Sequence, residues 1–152
     1  VCLAWKGTLT VASIPALTDT LFAQIESCLR NSPFVDNICV CTDPYSNHVT
    51  ALISPNRAAL AELSTTLSKQ SVPFEQLCED PEVISRVFDS LHSISAQLKL
   101  TPKEMPRRIT LVSDDWTPDN NMLTAALKLR RKNVNKKYEA RIRQMFEAKS
   151  KL

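Results

Sequence analysis

Apolar residues recur at helical spacing in several stretches of the chain, separated by short runs rich in β-branched residues. From Thr18, residues Leu21, Phe22, Ile25, Cys28 and Leu29 share one face, and Asp19 falls in the first turn, where the helix dipole favours a carboxylate. Pro33 stops that helix. The run from Phe34 to Thr42 reads as a strand, Asp43-Pro44-Tyr45-Ser46-Asn47 as a turn, and His48 to Ser54 as a second strand, which together predict a hairpin. After Pro55, apolar positions 58, 59, 60, 63 and 67 predict a helix over 56–69 with Asn56 as its cap. Pro73 opens a short turn or helix through Cys78.

Asp80-Pro81 then starts a long amphipathic helix carrying Val83, Ile84, Val87, Phe88, Leu91, Ile94 and Leu98, with the acid at N-cap and the proline in the first turn. Pro102 and Pro106 interrupt the chain before a third strand, Arg108 to Ser113. A polar loop, 114–121, leads into Met122 to Lys132, and a final helix carries Val134, Tyr138, Ile142, Met145 and Phe146. Residues 1–17 are strand or loop. The fold class predicted is α+β: a small, three-stranded, mainly antiparallel sheet flanked by helices, with a basic C-terminal helix.

Composition narrows this only a little. With 152 residues, 43% of them hydrophobic and a single glycine, the chain suits one globular domain and excludes Gly-rich phosphate loops and long disordered tracts. Val1 in place of Met predicts a piece cut from something longer, and no stretch is apolar enough for long enough to span a bilayer.

Charge changes the picture more. The net charge of +3 hides a division: residues 1–127 hold 9 Lys/Arg against 14 Asp/Glu, whereas residues 128–152 hold 10 against 2. Such a basic end points to an anionic contact: nucleotide phosphates, a lipid surface, RNA or an acidic protein face.

Candidate chemistry is sparse. Cysteines at 2, 28, 39, 41 and 78 show no CxxC spacing, and His48 and His92 are the only histidines, so no metal site is predicted. Cys39 and Cys41 would share one face of a strand, where a mutual disulfide needs distortion, and reduced thiols are the reading preferred. Asp114 and Asp115 are adjacent and point apart in an extended loop, which fits a solvated turn better than an acid/base pair. The basic run at Lys128, Arg130, Arg131 and Lys132 reads, on periodicity alone, as a solvated helix face.

The string from Trp116-Thr117-Pro118 through Asn121-Met122-Leu123-Thr124 to Lys128-Leu129-Arg130-Arg131-Lys132 resembles the end of a long-chain acyl-CoA synthetase, in the adenylate-forming superfamily. So does Val35-Asp36-Asn37-Ile38-Cys39 after its helix, and the tail from Lys136-Lys137-Tyr138 to Phe146. The matches run in the family's order over about residues 21–150. Asn121 stands where the family has a glycine, a change eased by the readiness of asparagine to adopt left-handed backbone.

The resemblance implies that residues 21–152 are the small C-terminal domain of a fatty-acid CoA ligase, with 1–20 unassigned and the family's hinge not recognisable there. It implies Lys128 as the catalytic lysine, Trp116, Thr117, Pro118 and Thr124 as the loop that positions it, and Arg130, Arg131 and Lys132 as candidates for contacts to an anion or a partner. ATP with Mg2+ would serve the whole enzyme, with CoA as co-substrate; this chain alone would bind none of them and would be inactive. Its partner would be the large adenylation domain, and nucleic acid is not expected. Any membrane association would come through segments outside this chain. An intracellular enzyme facing the cytosol is implied, at the endoplasmic reticulum, mitochondrial outer membrane or peroxisome. Two other readings stay open: a non-catalytic module whose basic helix binds an anionic protein, lipid or RNA, and an adenylate-forming enzyme with an acceptor other than CoA.

Overall fold

In the computed structural model, residues 19–42 and 48–147 are described. The expected segment over 1–17 and the expected turn at 43–47 lie outside these residues. Helix α1 (Asp19–Leu29) leads into strands β1 (Val35–Cys41) and β2 (Thr50–Pro55). Helices α2 (Arg57–Thr66), α3 (Phe74–Glu79) and α4 (Pro81–Gln97) follow, then strand β3 (Arg108–Leu111) and helices α5 (Arg131–Lys137) and α6 (Glu139–Glu147). This is the α+β class expected.

The sheet has the order β1-β2-β3. β1 and β2 pair antiparallel, as the hairpin reading requires, whereas β3 lies parallel to β2, with Thr50 opposite Arg108 and Ile53 opposite Leu111. The sheet is therefore mixed rather than mainly antiparallel. A connection made of three helices is long enough to return the chain to the same end of the sheet, and that is what parallel pairing needs.

Alternation along the strands feeds two cores. Ile38 and Val40 of β1 with Ala51 and Ile53 of β2 pack against Phe22, Ile25 and Leu29 of α1 and Val83, Val87 and Leu91 of α4. On the opposite face Cys39, Cys41 and Leu52 meet Trp116, Met122, Leu123, Val134, Tyr138, Met145 and Phe146. Every residue of β2 is buried, which explains why it reads as a nearly continuous apolar run. The helix starts follow their predicted caps: the Asn56 side chain accepts from Ala59 N at 2.9 Å, and Asp80 accepts from Glu82 N at 2.9 Å. Asp80 and Glu82 also hold the Lys69 ammonium at 2.7 and 2.8 Å.

Two sequence expectations change in the last third. The single final helix is divided at Tyr138, whose backbone (φ −107°, ψ 20°) leaves helical geometry between α5 and α6. Residues Lys128 and Arg130 are not on a helix at all; they belong to a tight loop that begins the functional region.

Candidate functional site

Residues 116–130 fold into a platform and a projecting turn. Trp116 is 4% exposed and fixes the start: its Nε1 donates to the Tyr138 hydroxyl at 3.3 Å, and that hydroxyl donates to Asp114 Oδ2 at 2.8 Å. Lys137 reaches the same carboxylate oxygen at 3.1 Å. The Tyr138 hydroxyl, and after it the Lys137 ammonium, hold the Asp114 carboxyl below the usual carboxylate range. Burial pushes the Tyr138 phenol up.

The loop then closes on itself. Thr117 N donates to Asn120 Oδ1 at 3.0 Å and Asn120 N donates to Thr117 Oγ1 at 3.3 Å, a reciprocal pair. The Pro118 carbonyl accepts from Asn121 N at 3.1 Å, and the Thr117 carbonyl accepts from Met122 N and Leu123 N at 3.2 and 3.3 Å. Asn121 is left-handed, with φ 60°, in the place where the resembling family carries glycine.

Beyond this platform the chain makes a hairpin. Leu123 bridges Leu129 in antiparallel fashion, and Arg130 N donates to the Met122 carbonyl at 2.8 Å. Thr124 organises the tip: its N donates to the Lys128 carbonyl at 2.8 Å, its carbonyl accepts from Leu127 N at 2.8 Å, and its hydroxyl accepts from Lys128 N at 3.1 Å. The tip is thus the three-residue loop 125–127 closed by Thr124 and Lys128, with Leu127 left-handed at φ 59°. That backbone costs a residue with a Cβ about 1–2 kcal/mol. Lys128 is exposed, and among the described residues its ammonium takes part in no ion pair.

The basic cluster separates on folding. Arg130 and Lys132 are exposed, whereas Arg131 turns inward and grips Glu26 of α1 with both arms, at 2.8 and 3.0 Å. Glu26 is 6% exposed; the same Oε1 accepts from Val40 N at 2.8 Å, while Arg131 also donates to the Val40 carbonyl at 2.9 Å. The guanidinium lies 5.2 Å over the Phe22 ring. Burial opposes the charge of Arg131, and the Glu26 carboxylate more than offsets it, so its pKa is raised. Arg131 is thus occupied within the fold.

Glu26 was not among the residues the sequence singled out. Its signal was its spacing: four residues after Phe22 and three before Leu29, it lies on the apolar stripe, where a carboxylate requires a partner. Leu127 was overlooked for the opposite reason, since an isolated leucine in a sequence does not announce its exposure.

Other candidates lose their chemistry. Cys39, Cys41 and Cys78 are free and buried. The hydrogen bond with Cys41 and then burial raise the Cys39 thiol, and burial raises Cys78 to about 11, which keeps both protonated and weakly nucleophilic. Cys28 is buried as well. His92 is exposed, and His48 stacks at a tilt 5.4 Å from Phe146. Asp115 pairs with Arg57 at 3.3 Å. Among the described residues no group of three His, Cys, Asp or Glu is placed to hold a metal ion, and no helix is long and apolar enough to cross a membrane. A groove of about 840 Å3 runs between α4, β3 and α6, bordered by Arg107, Arg108 and Arg141, and no residue of the hairpin lines it.

No family model matches the chain. Individual relatives do. Long chain acyl-CoA synthetase 8 of Arabidopsis thaliana is 33% identical over 123 residues, covering 81% of this chain and 17% of the relative. Long-chain-fatty-acid–CoA ligase 1 of Saccharomyces cerevisiae is 31% identical over 116 residues, again with 17% of the relative covered. Among solved structures, the A-PCP didomain of carboxylic acid reductase from Segniliparus rugosus in complex with AMP superposes with a TM-score of 0.69 at 25% identity, over 83% of this chain and 16% of that one. The A domain of the same reductase gives 0.70 at 24% identity, over 86% of this chain and 18% of that one. The chain thus spans about a sixth of the length of these proteins; in sequence it is similar to named long-chain acyl-CoA synthetases and ligases, and in fold to adenylation domains of carboxylic acid reductase.

Proposed function

We propose that this chain is the small C-terminal domain of an ATP-dependent long-chain fatty-acid CoA ligase, and that Lys128 is its catalytic lysine. The observation that carries the reading is the placement of Lys128: an exposed ammonium with no ion-pair partner among the described residues, on a turn fixed by Thr124 and based on the Trp116–Asn121 platform. Similarity to named acyl-CoA synthetases and ligases supports it.

In the first step a fatty-acid carboxylate oxygen bonds to the α-phosphorus of ATP while the bond to the β-phosphate oxygen breaks and pyrophosphate leaves. Charge concentrates between the carboxylate and the α-phosphoryl oxygens. A lysine ammonium carries a positive charge and can hold both groups as that charge grows. In the second step the CoA thiol gives up its proton, sulfur bonds to the acyl carbon, and AMP departs with the acyl oxygen. Lys128 has withdrawn by then, through rotation of this domain against the large one. In this reading the Mg2+ that would accompany ATP would be held with the nucleotide in the whole enzyme.

Thr124 fixes the lysine through its hydroxyl, and Trp116, Thr117 and Pro118 hold the base of the turn. Arg130 and Lys132 remain available to phosphate or partner; Arg131 serves the fold. The reading as an anion-binding module is weakened by internal pairing: Arg131, Lys137, Arg141 and Arg143 all meet carboxylates of this chain. An acceptor other than CoA has the likeness to carboxylic acid reductase adenylation domains in its favour.

The test is reconstitution. Joined to the adenylation domain of a long-chain acyl-CoA synthetase, the chain should make acyl-CoA from palmitate, ATP and CoA, and Lys128→Ala should reduce adenylation by about 100-fold or more. A folded fusion that is inactive, or one indifferent to the substitution, sinks the reading.

A further inference from the structure

Leu127 combines two features that work against the chain taken alone. It is the large apolar side chain left exposed among the described residues, at 63%, and its backbone is left-handed at φ 59°. The loop geometry would accept glycine or asparagine without strain. The other left-handed residues, Ser68, Lys99 and Asn121, are all polar, as exposed turn positions ordinarily are. A strained backbone holding an apolar side chain in water calls for a contact outside the described residues.

The partner follows from the geometry of the tip. Leu127 and Lys128 are fixed in one turn by Thr124, through the carbonyl bond to Leu127 N and the hydroxyl bond to Lys128 N. Whatever receives the ammonium therefore receives the leucine as well. Ala125 and Ala126 beside it are exposed and uncharged, so the leading end of the hairpin is apolar, with the cation set just behind it. The relatives have most of their length outside the matched region, with 17% of the Arabidopsis synthetase covered, which leaves ample chain to form a receiving surface.

We infer that Leu127 is a positioning residue, an apolar peg that seats against an apolar wall of the adenylation domain and sets how far Lys128 enters the active site. This rests on the reading of Lys128 above. Burial of the leucine supplies a non-directional attraction that helps offset the desolvation of the neighbouring ammonium. The left-handed backbone aims the side chain outward, where a relaxed turn with glycine would present nothing to grip.

The experiment uses the full chain joined to the adenylation domain of a long-chain acyl-CoA synthetase, with two separate assays. One follows pyrophosphate release from fatty acid and ATP; the other follows acyl-CoA formation from supplied acyl-AMP and CoA. Leu127→Asn and Leu127→Gly should leave or raise the thermal midpoint of the chain, because the strain is relieved. They should nevertheless slow adenylation about tenfold or more, while the thioester step stays within about twofold. Leu127→Met should restore adenylation. If both half-reactions fall together, or adenylation is untouched while Lys128→Ala abolishes it, the role of Leu127 is overturned and that of Lys128 stands. Should Lys128→Ala also leave adenylation intact, the underlying reading fails. Dimerisation of the chain that disappears in Leu127→Asn, with adenylation unchanged, would identify a second copy as the partner and likewise overturn the proposal.

Discussion

The two faces of the sheet are built by different means. On the α1–α4 face, helices pack apolar stripes onto β1, β2 and β3, and the caps at Asn56 and Asp80 fall where propensity places them. On the other face, residues 112–146 contribute an apolar layer, but their course is dictated by polar side chains: Thr117, Asn120, Thr124, Asn133, Tyr138 and Arg131 each bond to a loop or to another element. Burial is non-directional and tolerates change if volume is kept, whereas hydrogen bonds specify direction. The face that must aim a side chain is the one assembled from directional contacts.

Substitutions can sharpen that comparison. Leu91→Ala, at a fully buried position of α4, should cost about 2–5 kcal/mol in urea unfolding, since the sheet and α1 collapse only partly into the space. Glu26→Ala should cost about 3 kcal/mol, at the low end for a buried pair because Arg131 keeps 22% of its side-chain exposure. Its effect should be concentrated in hydrogen exchange of residues 123–131. Uniform loss of protection throughout the chain would contradict the separation of the two faces.

The smallest effect concerns Tyr138→Phe, worth about 1 kcal/mol at neutral pH after allowance for the half-exposed Asp114. The folded-state pKa of Asp114 is depressed, first by the Tyr138 hydroxyl. Its contribution is therefore present above the unfolded value of ~3.9 and is lost as pH falls through the folded one. The difference in unfolding midpoint between the wild-type chain and Tyr138→Phe should accordingly narrow from pH 6 to pH 2.5. A gap that widens on acidification would show that Asp114 is not the group concerned.

What the sequence made legible follows the same division. Stripes, caps and prolines placed α1 to α4, and β-branched runs placed the strands, because these elements depend on local preference and burial. The left-handed Asn121 was legible too, through the glycine of the resembling family at that place and the readiness of asparagine to replace it. The parallel entry of β3 was not, since a helical crossover permits either direction until the sheet is assembled. Nor was the hairpin at 123–129. Its apolar spacing suits a helix, and the outcome is decided by bonds to Thr117 and Thr124 and by the Arg130–Met122 closure. Arg131 looked like one of four equal cations. Only the meeting of α1 with the start of α5 separates it from its neighbours.

That meeting has a consequence for solubility. Among the described residues β1 is an edge strand, and the N–H and C=O of Val40 are bonded by side chains rather than by β2. Glu26 accepts from the one and Arg131 donates to the other, so two side chains take the place that the backbone of a further strand would fill. An open edge of this kind is a template on which another chain can add. The pair thus acts as a guard against strand addition, and chains lacking either member should be recovered as oligomers even under conditions in which their helices remain formed.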